Sequence, residues 1–224
     1  MKRFECVEQA TTPDGTVLTL HRHDGDYTVR ADGAELMSTR RHHSEERLAE
    51  LACAPLRGAP GARVLIGGLG LGFTLRAALR ALAADASVVV AELVAAVIAW
   101  NTNPDYPLAG AALRDPRVTL RHADVADVVR EGAGGFDAIL LDVDNGASPL
   151  TTAGNARLYG GAGIADAVAA LRPGGRLAYW AAEADREFER ALRRAGLTVE
   201  VARVRAHPTS GPWHTLYVGH RAAT

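Results

Sequence analysis

Residues 63–72 read RVLIGGLGLG, and this stretch decides the fold. An apolar run at 64–66 is followed by glycines at 67, 68, 70 and 72. A continuous apolar run is typical of a strand that is buried on both faces of a sheet, and the glycines allow a sharp turn of the backbone. Residues 73–83, FTLRAALRALA, then repeat apolar residues at helical spacing. The stretch therefore predicts a strand, a glycine-rich turn and a helix.

The same alternation continues outward along the chain. Further strands are predicted at 87–92, 117–124, 136–142 and 176–180, and further helices at 93–101, 162–171 and 185–196. Strands at 198–206 and 214–220 close the chain. Apolar strands that alternate with helices indicate a mostly parallel sheet covered on both faces. The predicted fold class is therefore α/β, a Rossmann-like sheet that ends in an antiparallel hairpin.

The first 40 residues differ from the rest and predict a small β-meander. Its strands fall in TVLTLHRH, DGDYTVRADG and AELMST, between 16 and 39, and Asp-Gly pairs separate them. An edge of this meander offers backbone groups that can pair across a homodimer. We expect such a dimer as one possibility for the assembly.

A short helix is predicted between the meander and the sheet. Ser44 is placed to cap it, and Leu48 and Leu51 recur at helical spacing. Pro55 and the glycines that follow break the chain. We therefore predict an N-terminal meander and helix at 1–55 and a Rossmann-like catalytic domain at 56–224.

Composition and charge exclude several classes of protein. Apolar residues make up 48% and charged residues 23% of the 224 residues, which is enough for a buried core. The net charge is -1, so bulk electrostatic binding to nucleic acid or to an acidic membrane is not expected. No stretch reaches the roughly 20 apolar residues of a membrane span. The histidines and two cysteines do not have the spacing of known metal motifs. We expect a cytoplasmic protein without a metal site.

Three predicted strand ends carry residues that suit a nucleotide. In an open parallel sheet, ligands bind outside the carboxyl ends of the strands, near the switch in strand order. Gly68, Gly70 and Gly72 follow the first of these strands, Glu92 ends the second and Asp124 ends the third. The glycines let a ligand approach the backbone. A carboxylate at the second position can accept both hydroxyls of a ribose, and one at the third can accept from an exocyclic amine.

The spacing of the glycines favours S-adenosylmethionine (SAM) over a dinucleotide. Dinucleotide sites use G-x-G-x-x-G/A, but the third position falls on Phe73 or Leu75 in the two registers. The pattern present is G-x-G-x-G, which suits a cofactor that has no pyrophosphate. In the alternative interpretation the glycines only form a tight turn, and Glu92 and Asp124 cap helices.

Six segments, in this order along the chain, resemble the spermidine synthases, which are polyamine aminopropyltransferases. They are VLIGGLGLGFTLRAAL, VVVAELV, DPRVTLRHADVADVV, FDAILLDVDNG, NARLY and LRPGGRLAYW. The closing strands resemble the terminal hairpin of class I SAM-dependent methyltransferases. The resemblance covers about residues 15–220 and includes the meander. It implies a Rossmann-like SAM-dependent methyltransferase fold, SAM or decarboxylated SAM as cofactor, and a small amine as substrate.

The resemblance also implies roles for single residues. Glu92 and Asp124 match the acids that bind ribose and adenine in the family. Asp142, at the end of the fourth strand, matches its catalytic acid. Tyr159 matches a tyrosine of the acceptor pocket, and Glu46 matches a glutamate of an N-terminal acceptor-binding segment.

Three features depart from the family, and one of them is Glu45, which replaces the family's aromatic residue before Glu46. The family's glycine loop carries an aspartate that meets the amino group of decarboxylated SAM, whereas Gly70 or Leu71 stands at that place here. Its Asp-x-x-Asp-Pro segment is replaced by DVDNG at 142–146, which brings the second acid, Asp144, one residue closer. Asp144 is therefore a second catalytic candidate or a group that positions the amine, unless it only forms an Asx-turn.

Three functions remain open at this point. The leading hypothesis is methyl transfer from SAM to a small amine or amino compound, because a loop without an acid suits the carboxylate of SAM. Asp142 is then expected to orient a neutral amine and to accept its proton. The alternatives are aminopropyl transfer from decarboxylated SAM and a SAM-binding module without turnover.

Overall fold

The computed structural model describes residues 4–12, 15–143 and 156–223. The second catalytic candidate, Asp144, lies outside the described residues. Within them the chain forms two sheets and the helices that cover them.

The first sheet is the predicted meander. Its strands, hydrogen-bonded in chain order, are β1 (Glu5–Thr11), β2 (Val17–His23), β3 (Asp26–Ala31) and β4 (Ala34–Ser38). Asp24, Gly25, Asp32 and Gly33 all have positive φ, as two-residue hairpin turns require. The meander and its Asp-Gly turns are confirmed, and β1 is added to the strands that the sequence predicts. Pairing across a dimer stays a prediction.

The second sheet has seven strands among the described residues. They are β5 (Arg63–Gly67), β6 (Ser87–Glu92), β7 (Val118–His122), β8 (Phe136–Leu141), β9 (Leu171–Ala181), β10 (Thr198–His207) and β11 (Ser210–His220). Their order is β10-β11-β9-β8-β5-β6-β7. The strands from β9 to β7 pair in parallel, and β11 pairs antiparallel with β9 and with β10. This arrangement confirms the mostly parallel sheet with a C-terminal antiparallel hairpin.

Helices cover both faces of the second sheet. They are α1 (His43–Cys53), α2 (Phe73–Ala81), α3 (Ala95–Thr102), α4 (Gly110–Leu113), α5 (Val125–Glu131), α6 (Ala156–Tyr159), α7 (Gly161–Ala170) and α8 (Arg186–Arg194). One buried cluster joins Leu48 and Leu75 to Leu20 of the first sheet. The other contains Val128 and Ile164 on the opposite face. In the part of the chain that the structure describes, no helix is long and apolar enough to cross a membrane.

Two local predictions need correction. Ser44 does not cap α1, because the helix begins at His43 and the buried Ser44 hydroxyl donates to the Glu45 carboxylate at 2.6 Å. Strand β9 begins at Leu171 and includes the Pro-Gly-Gly at 173–175, whereas the predicted strand begins at 176 and the predicted helix runs to 171. Leu171 pairs with Phe136 of β8 and Arg176 pairs with Ala138, with a shift in register between the two pairs.

The strand order places a binding site at one edge of the second sheet. β5 has β6 and β7 on one side and β8 and β9 on the other, so the strand order reverses at β5. A crevice forms outside the carboxyl ends of the strands at such a reversal. The first sheet lies over this edge, since Leu18, Leu36 and Met37 line the crevice together with residues from the strand ends.

Candidate functional site

Backbone hydrogen bonds tie the start of the loop that follows β5 to the ends of the neighbouring strands β6 and β8. The Gly68 amide donates to the Ala91 carbonyl at 2.8 Å, and the Asp142 amide donates to the Gly67 carbonyl at 2.9 Å. Gly68 has a φ of +88°, and a Cβ at this residue would lie 2.2 Å from the carbonyl oxygen of Asp142. Position 68 therefore accepts only glycine, for both conformational and steric reasons.

The other two predicted glycines differ in their surroundings. Gly72 has a φ of +79°, and a Cβ there would lie 2.3 Å from the Cβ of Ala109. Gly70 has a φ of +51°, its carbonyl accepts from the Asn101 side chain at 2.8 Å, and a Cβ would come no closer than 3.4 Å, to the Met37 sulfur. Packing against Ala109 therefore excludes a side chain at position 72, whereas position 70 has room for one.

Glu92 is a buried carboxylate at the end of β6. One of its oxygens accepts from the Leu69 amide and the other from the Val94 amide, each at 2.8 Å. Burial raises the pKa of Glu92, and these backbone hydrogen bonds oppose the rise. The carboxylate therefore orders the glycine loop, and it also lines the crevice, where its remaining lone pairs can accept from a ligand.

Asp124 follows β7 and serves as a helix cap. One oxygen accepts from the Ala126 amide at 2.8 Å, at the start of α5, and the other pairs with Arg157. Capping was the alternative interpretation of this acid, and the structure shows it. Asp124 nonetheless lines the crevice together with Glu92, so the structure brings the two predicted acids to one cavity.

We name this cavity the strand-end cleft. Its predicted lining residues are Gly68, Gly70, Glu92, Asp124 and Asp142. Leu18, Leu36 and Met37 of the first sheet also line it, and sequence reasoning missed them.

A second cavity adjoins the strand-end cleft. Its own lining includes Ser38, Glu45, Leu69, Leu71, Phe73 and Trp180. Leu36, Met37, Gly70 and Asp142 line both cavities. We name the second cavity the acidic chamber, because Glu45 and Asp142 both face it. A ligand in the cleft and another in the chamber would meet beside Asp142.

Asp142 is held at this junction by a side chain of α2. The Thr74 hydroxyl donates to its carboxylate at 2.6 Å. Thr74 is buried, as a residue in the first turn of α2. The glycine loop therefore fixes the backbone of Asp142, and the helix that follows the loop fixes its carboxylate.

The residue of α1 that reaches the chamber is Glu45 rather than the predicted Glu46. Glu46 is directed to Arg80, which donates to it at 3.0 Å, and to His42, whose ring nitrogen lies 3.3 Å away. Adjacent helical residues point about 100° apart. A one-residue difference therefore moves the carboxylate from a surface ion pair into the chamber.

Tyr159 lies in an aromatic cluster of the core. It is buried, with its ring centroid 5.4 Å from that of Tyr179 and 5.2 Å from that of Phe188. It is not among the described residues that line the cleft or the chamber. The structure thus brings Glu92, Asp124 and Asp142 together and places Tyr159 elsewhere.

Both carboxyls of the chamber have raised pKa values. Burial, and after it the charge of Asp142, raises the pKa of Glu45 to about 8. Burial raises the pKa of Asp142 to about 6, and the hydrogen bond from Thr74 opposes the rise. Interacting carboxyls titrate as a pair. Near neutral pH the pair holds about one proton, so one member is a base and the other is a donor.

This pair predicts a pH dependence of stability. Because both pKa values are raised, the folded protein binds more protons than the unfolded chain between about pH 4 and pH 8. The stabilisation is complete below about pH 4 and is lost as the pH rises through the folded pKa values. We expect Glu45→Gln to flatten this fall by at least about 1 kcal/mol. Urea unfolding at pH 5 and pH 9 measures how far the free energy of unfolding falls between the two pH values. An equal fall in Glu45→Gln and in the unsubstituted protein would contradict the prediction.

Fold and site together define an α/β protein of the Rossmann-like class. It has a ligand cleft at the carboxyl ends of its parallel strands and an acidic chamber beside that cleft. No protein-family model matches the sequence, and no curated protein matches it.

Solved structures narrow the class to a spermidine synthase-like fold. Spermidine synthase from Thermotoga maritima is 18% identical, with a TM-score of 0.75 over 98% of this chain and 74% of that one. A spermidine synthase in complex with the transition-state analogue AdoDATO is 18% identical, with a TM-score of 0.74 over 98% of this chain and 73% of that one. A probable spermidine synthase from Corynebacterium glutamicum ATCC 13032 is 14% identical, with a TM-score of 0.66 over 96% of this chain and 79% of that one. At these identities the likeness shows the fold.

Proposed function

We propose that the protein is a SAM-type transferase that moves a methyl group from SAM to a small amine. The observation that carries this proposal is the placement of two carboxyls with raised pKa values, Glu45 and Asp142, in a chamber that opens on the cleft. The spermidine synthase-like fold supports the broader class of alkyl transfer from a sulfonium nucleotide.

The residues of the cleft suit such a nucleotide. Gly68 and Gly70 line the cleft without side chains, and Glu92 and Asp124 provide carboxylate oxygens at neighbouring strand ends. Carboxylates there accept from the hydroxyls of a ribose. When bound, the cofactor supplies a carbon on a positively charged sulfur; the amine nitrogen bonds to that carbon while the electrons of the broken C–S bond stay on sulfur.

The residues of the chamber are placed to orient the amine and to accept its proton. A nitrogen attacks only as a neutral amine, so a base must take its proton. Asp142 lines both cavities and is placed to orient the nitrogen and accept this proton. Glu45 provides a second proton position, and the hydroxyls of Thr74 and Ser44 hold the two carboxylates in place. A base with a pKa near the working pH is the most effective.

Methyl transfer is preferred over aminopropyl transfer because of Gly70. It lies where cleft and chamber meet and has no side chain to bind the amino group of a decarboxylated cofactor. Aminopropyl transfer is the second candidate, and the spermidine synthase-like fold favours it. Mass measurement after incubation with SAM or decarboxylated SAM and a panel of amines separates them. A gain of one methyl group supports the proposal, and a gain of one aminopropyl group alone overturns it.

Gly70→Asp tests the choice of cofactor. Aspartate tolerates a φ of +51° better than most residues, and the nearest obstacle is the flexible Met37 side chain. Repulsion between the new aspartate and the SAM carboxylate at about 5 Å costs about 3 kcal/mol at an effective dielectric constant of 20, and the ammonium on the same carbon of SAM offsets part of this cost. We expect the affinity for SAM to fall at least tenfold in calorimetry. Methylthioadenosine has no carboxylate, and its affinity is the control. Equal losses for both ligands would show that the variant only damages the loop.

A further inference from the structure

The two carboxyls of the acidic chamber lie close to each other. The Thr74 hydroxyl donates to the Asp142 carboxylate at 2.6 Å, and the same oxygen lies 3.5 Å from the backbone carbonyl oxygen of Glu45. The charge of Asp142 also raises the pKa of Glu45, as a like charge does at short range. Glu45 and Asp142 are the acidic residues among the described residues that line the chamber. The described lining therefore offers one anionic site to a substrate.

The rest of the described lining is mostly apolar. Strand β4, the glycine loop, α2 and β9 contribute six apolar side chains, which are those of Leu36, Met37, Leu69, Leu71, Phe73 and Trp180. Ser38 adds a hydroxyl, and Gly70 adds only backbone. A charged group that leaves water for an apolar surface loses its hydration and gains no hydrogen-bond partner. An alkyl or aryl group, in contrast, gains free energy by leaving water.

Several of these apolar side chains are left partly uncovered by the protein. Leu36, Met37, Phe73 and Trp180 pack against the buried core but are only partly buried themselves. The Nε1 of Trp180 is buried, so this residue offers ring carbon to the chamber. Each methylene of a ligand that covers apolar surface contributes about fourfold in affinity. The chamber therefore favours a substrate with an apolar body.

The charge of the carboxyl pair matches a single ammonium group. Near neutral pH the pair holds about one proton, so it carries about one negative charge. One ammonium neutralises this charge, whereas the second ammonium of a diamine would lie against the apolar lining. The guanidinium carbon of Arg76 lies 4.3 Å from the centroid of the Phe73 ring, so a positive charge already stands beside this lining. A second ammonium would lose its hydration there and would also be repelled.

The aromatic rings of the chamber already have partners in the protein. A cation binds over the face of an aromatic ring. On Phe73, the His42 ring stacks with centroids 4.0 Å apart and planes 5° apart, and the Arg76 guanidinium lies over the ring as well. On Trp180, the His214 ring has its centroid 4.5 Å from that of the indole. A second ammonium would have to compete with these contacts for the ring faces.

We infer that the acceptor is a monoamine with an apolar body, an alkyl or aryl amine, rather than a diamine. Its nitrogen lies against Asp142 and Glu45, and its body covers Leu36, Phe73 and Trp180. The ammonium gives one proton to the carboxyl pair, and the neutral nitrogen then bonds to the methyl group as the C–S bond breaks. From a primary amine, the products are a secondary ammonium and S-adenosylhomocysteine. This inference rests on the proposed function, because it names the substrate class of the same site.

The test compares amines that differ in chain length or in the second charge alone. With SAM and with decarboxylated SAM as donors, kcat/KM is measured for butylamine, hexylamine, 1,4-diaminobutane and 1,6-diaminohexane. We expect hexylamine to exceed butylamine at least tenfold, because it adds two methylenes. We also expect each monoamine to exceed the diamine of the same length at least tenfold. A diamine that reacts as well as its monoamine, or no gain with chain length, overturns the inference while leaving the transferase activity in place.

Variants of Phe73 test the apolar lining. Phe73→Ala should lower the ratio of kcat/KM for hexylamine over butylamine at least threefold, whereas Phe73→Leu keeps an apolar side chain and should retain the ratio. Phe4→Ala is the matched control, because the exposed Phe4 ring stacks on His21 at 4.7 Å and has the Arg30 guanidinium 5.1 Å away. Phe4 is not among the described residues that line the chamber. An equal fall of the ratio in both alanine variants contradicts the inference.

A binding measurement keeps the inference testable without turnover. Calorimetry of hexylamine and 1,6-diaminohexane is carried out on the protein saturated with S-adenosylhomocysteine. Hexylamine that binds at least tenfold more tightly than the diamine supports the inference. Equal affinities, or no binding of either amine, overturn it. Failure of S-adenosylhomocysteine itself to bind counts against the proposed function, and the two amines are then compared on the free protein by the same criteria.

Discussion

Replacement of Asp142 by asparagine is expected to reduce methyl transfer by a factor of about 10²–10⁴, the usual contribution of a positioned acid or base. Asparagine has the size of aspartate and can still accept from the Thr74 hydroxyl through its carbonyl oxygen. It cannot accept a proton from the amine. The loss should therefore fall on kcat, whereas the affinity for SAM should change little, because Glu92 and Asp124 are untouched.

Single-turnover rates and SAM calorimetry on the same preparation measure the two effects separately. Asp166→Asn changes an exposed aspartate on α7 and is the matched control. If Asp142→Asn transfers methyl groups as fast as the control variant, Asp142 is not the base. A protein that binds SAM but shows no transfer in either variant would be a binding module without turnover.

Replacement of Gly68 by alanine is expected to have the largest effect on folding and on cofactor binding. The residue has a φ of +88°, and the added methyl group would lie 2.2 Å from the Asp142 carbonyl oxygen. A left-handed conformation costs a non-glycine residue roughly 1–2 kcal/mol, and overpacking typically adds about 1–3 kcal/mol. We expect the free energy of unfolding to fall by about 2–5 kcal/mol. Since the loop must move, SAM affinity should also fall at least tenfold.

Gly134→Ala separates the cost of the left-handed conformation from the cost of the steric contact. Gly134 also has a positive φ, +64°, but a Cβ there would meet nothing within 4 Å. This variant should show only the conformational cost of about 1–2 kcal/mol, with SAM affinity unchanged. Denaturant unfolding and calorimetry on both variants provide the comparison. Equal destabilisation by the two substitutions would mean that the contact with Asp142 contributes nothing.

Much of the fold follows from patterns that are local in the chain. The apolar run at 64–66 and the glycines after it predict β5, its turn and α2 correctly, because the residues that decide each element lie next to one another. The Asp-Gly pairs likewise predict the turns of the first sheet. β9 is longer than predicted, since Leu171 already pairs with Phe136 of β8 ahead of the Pro-Gly-Gly, and pairing is not a local property.

Of the site residues, only those at the ends of strands can be predicted from the sequence. Glu92, Asp124 and Asp142 meet because the carboxyl ends of parallel strands lie at one edge of a sheet, which the order of elements already implies. The choice between Glu45 and Glu46 depends on the rotation of α1 against the second sheet, and adjacent helical positions differ by about 100°. Tyr159 has a matching sequence neighbourhood, yet α6 directs it into the aromatic core.

By itself the sequence determined the alternation of strands and helices, the glycine loop and the acids at the strand ends, because propensity, periodicity and turn chemistry act over a few residues. Only the tertiary structure decided that Leu36 and Met37 close the cleft and that Glu45 joins Asp142 in the chamber. It also decided that Trp180 lines that chamber. These contacts join residues far apart in the chain, and their distances are set by how the two sheets and α1 pack together.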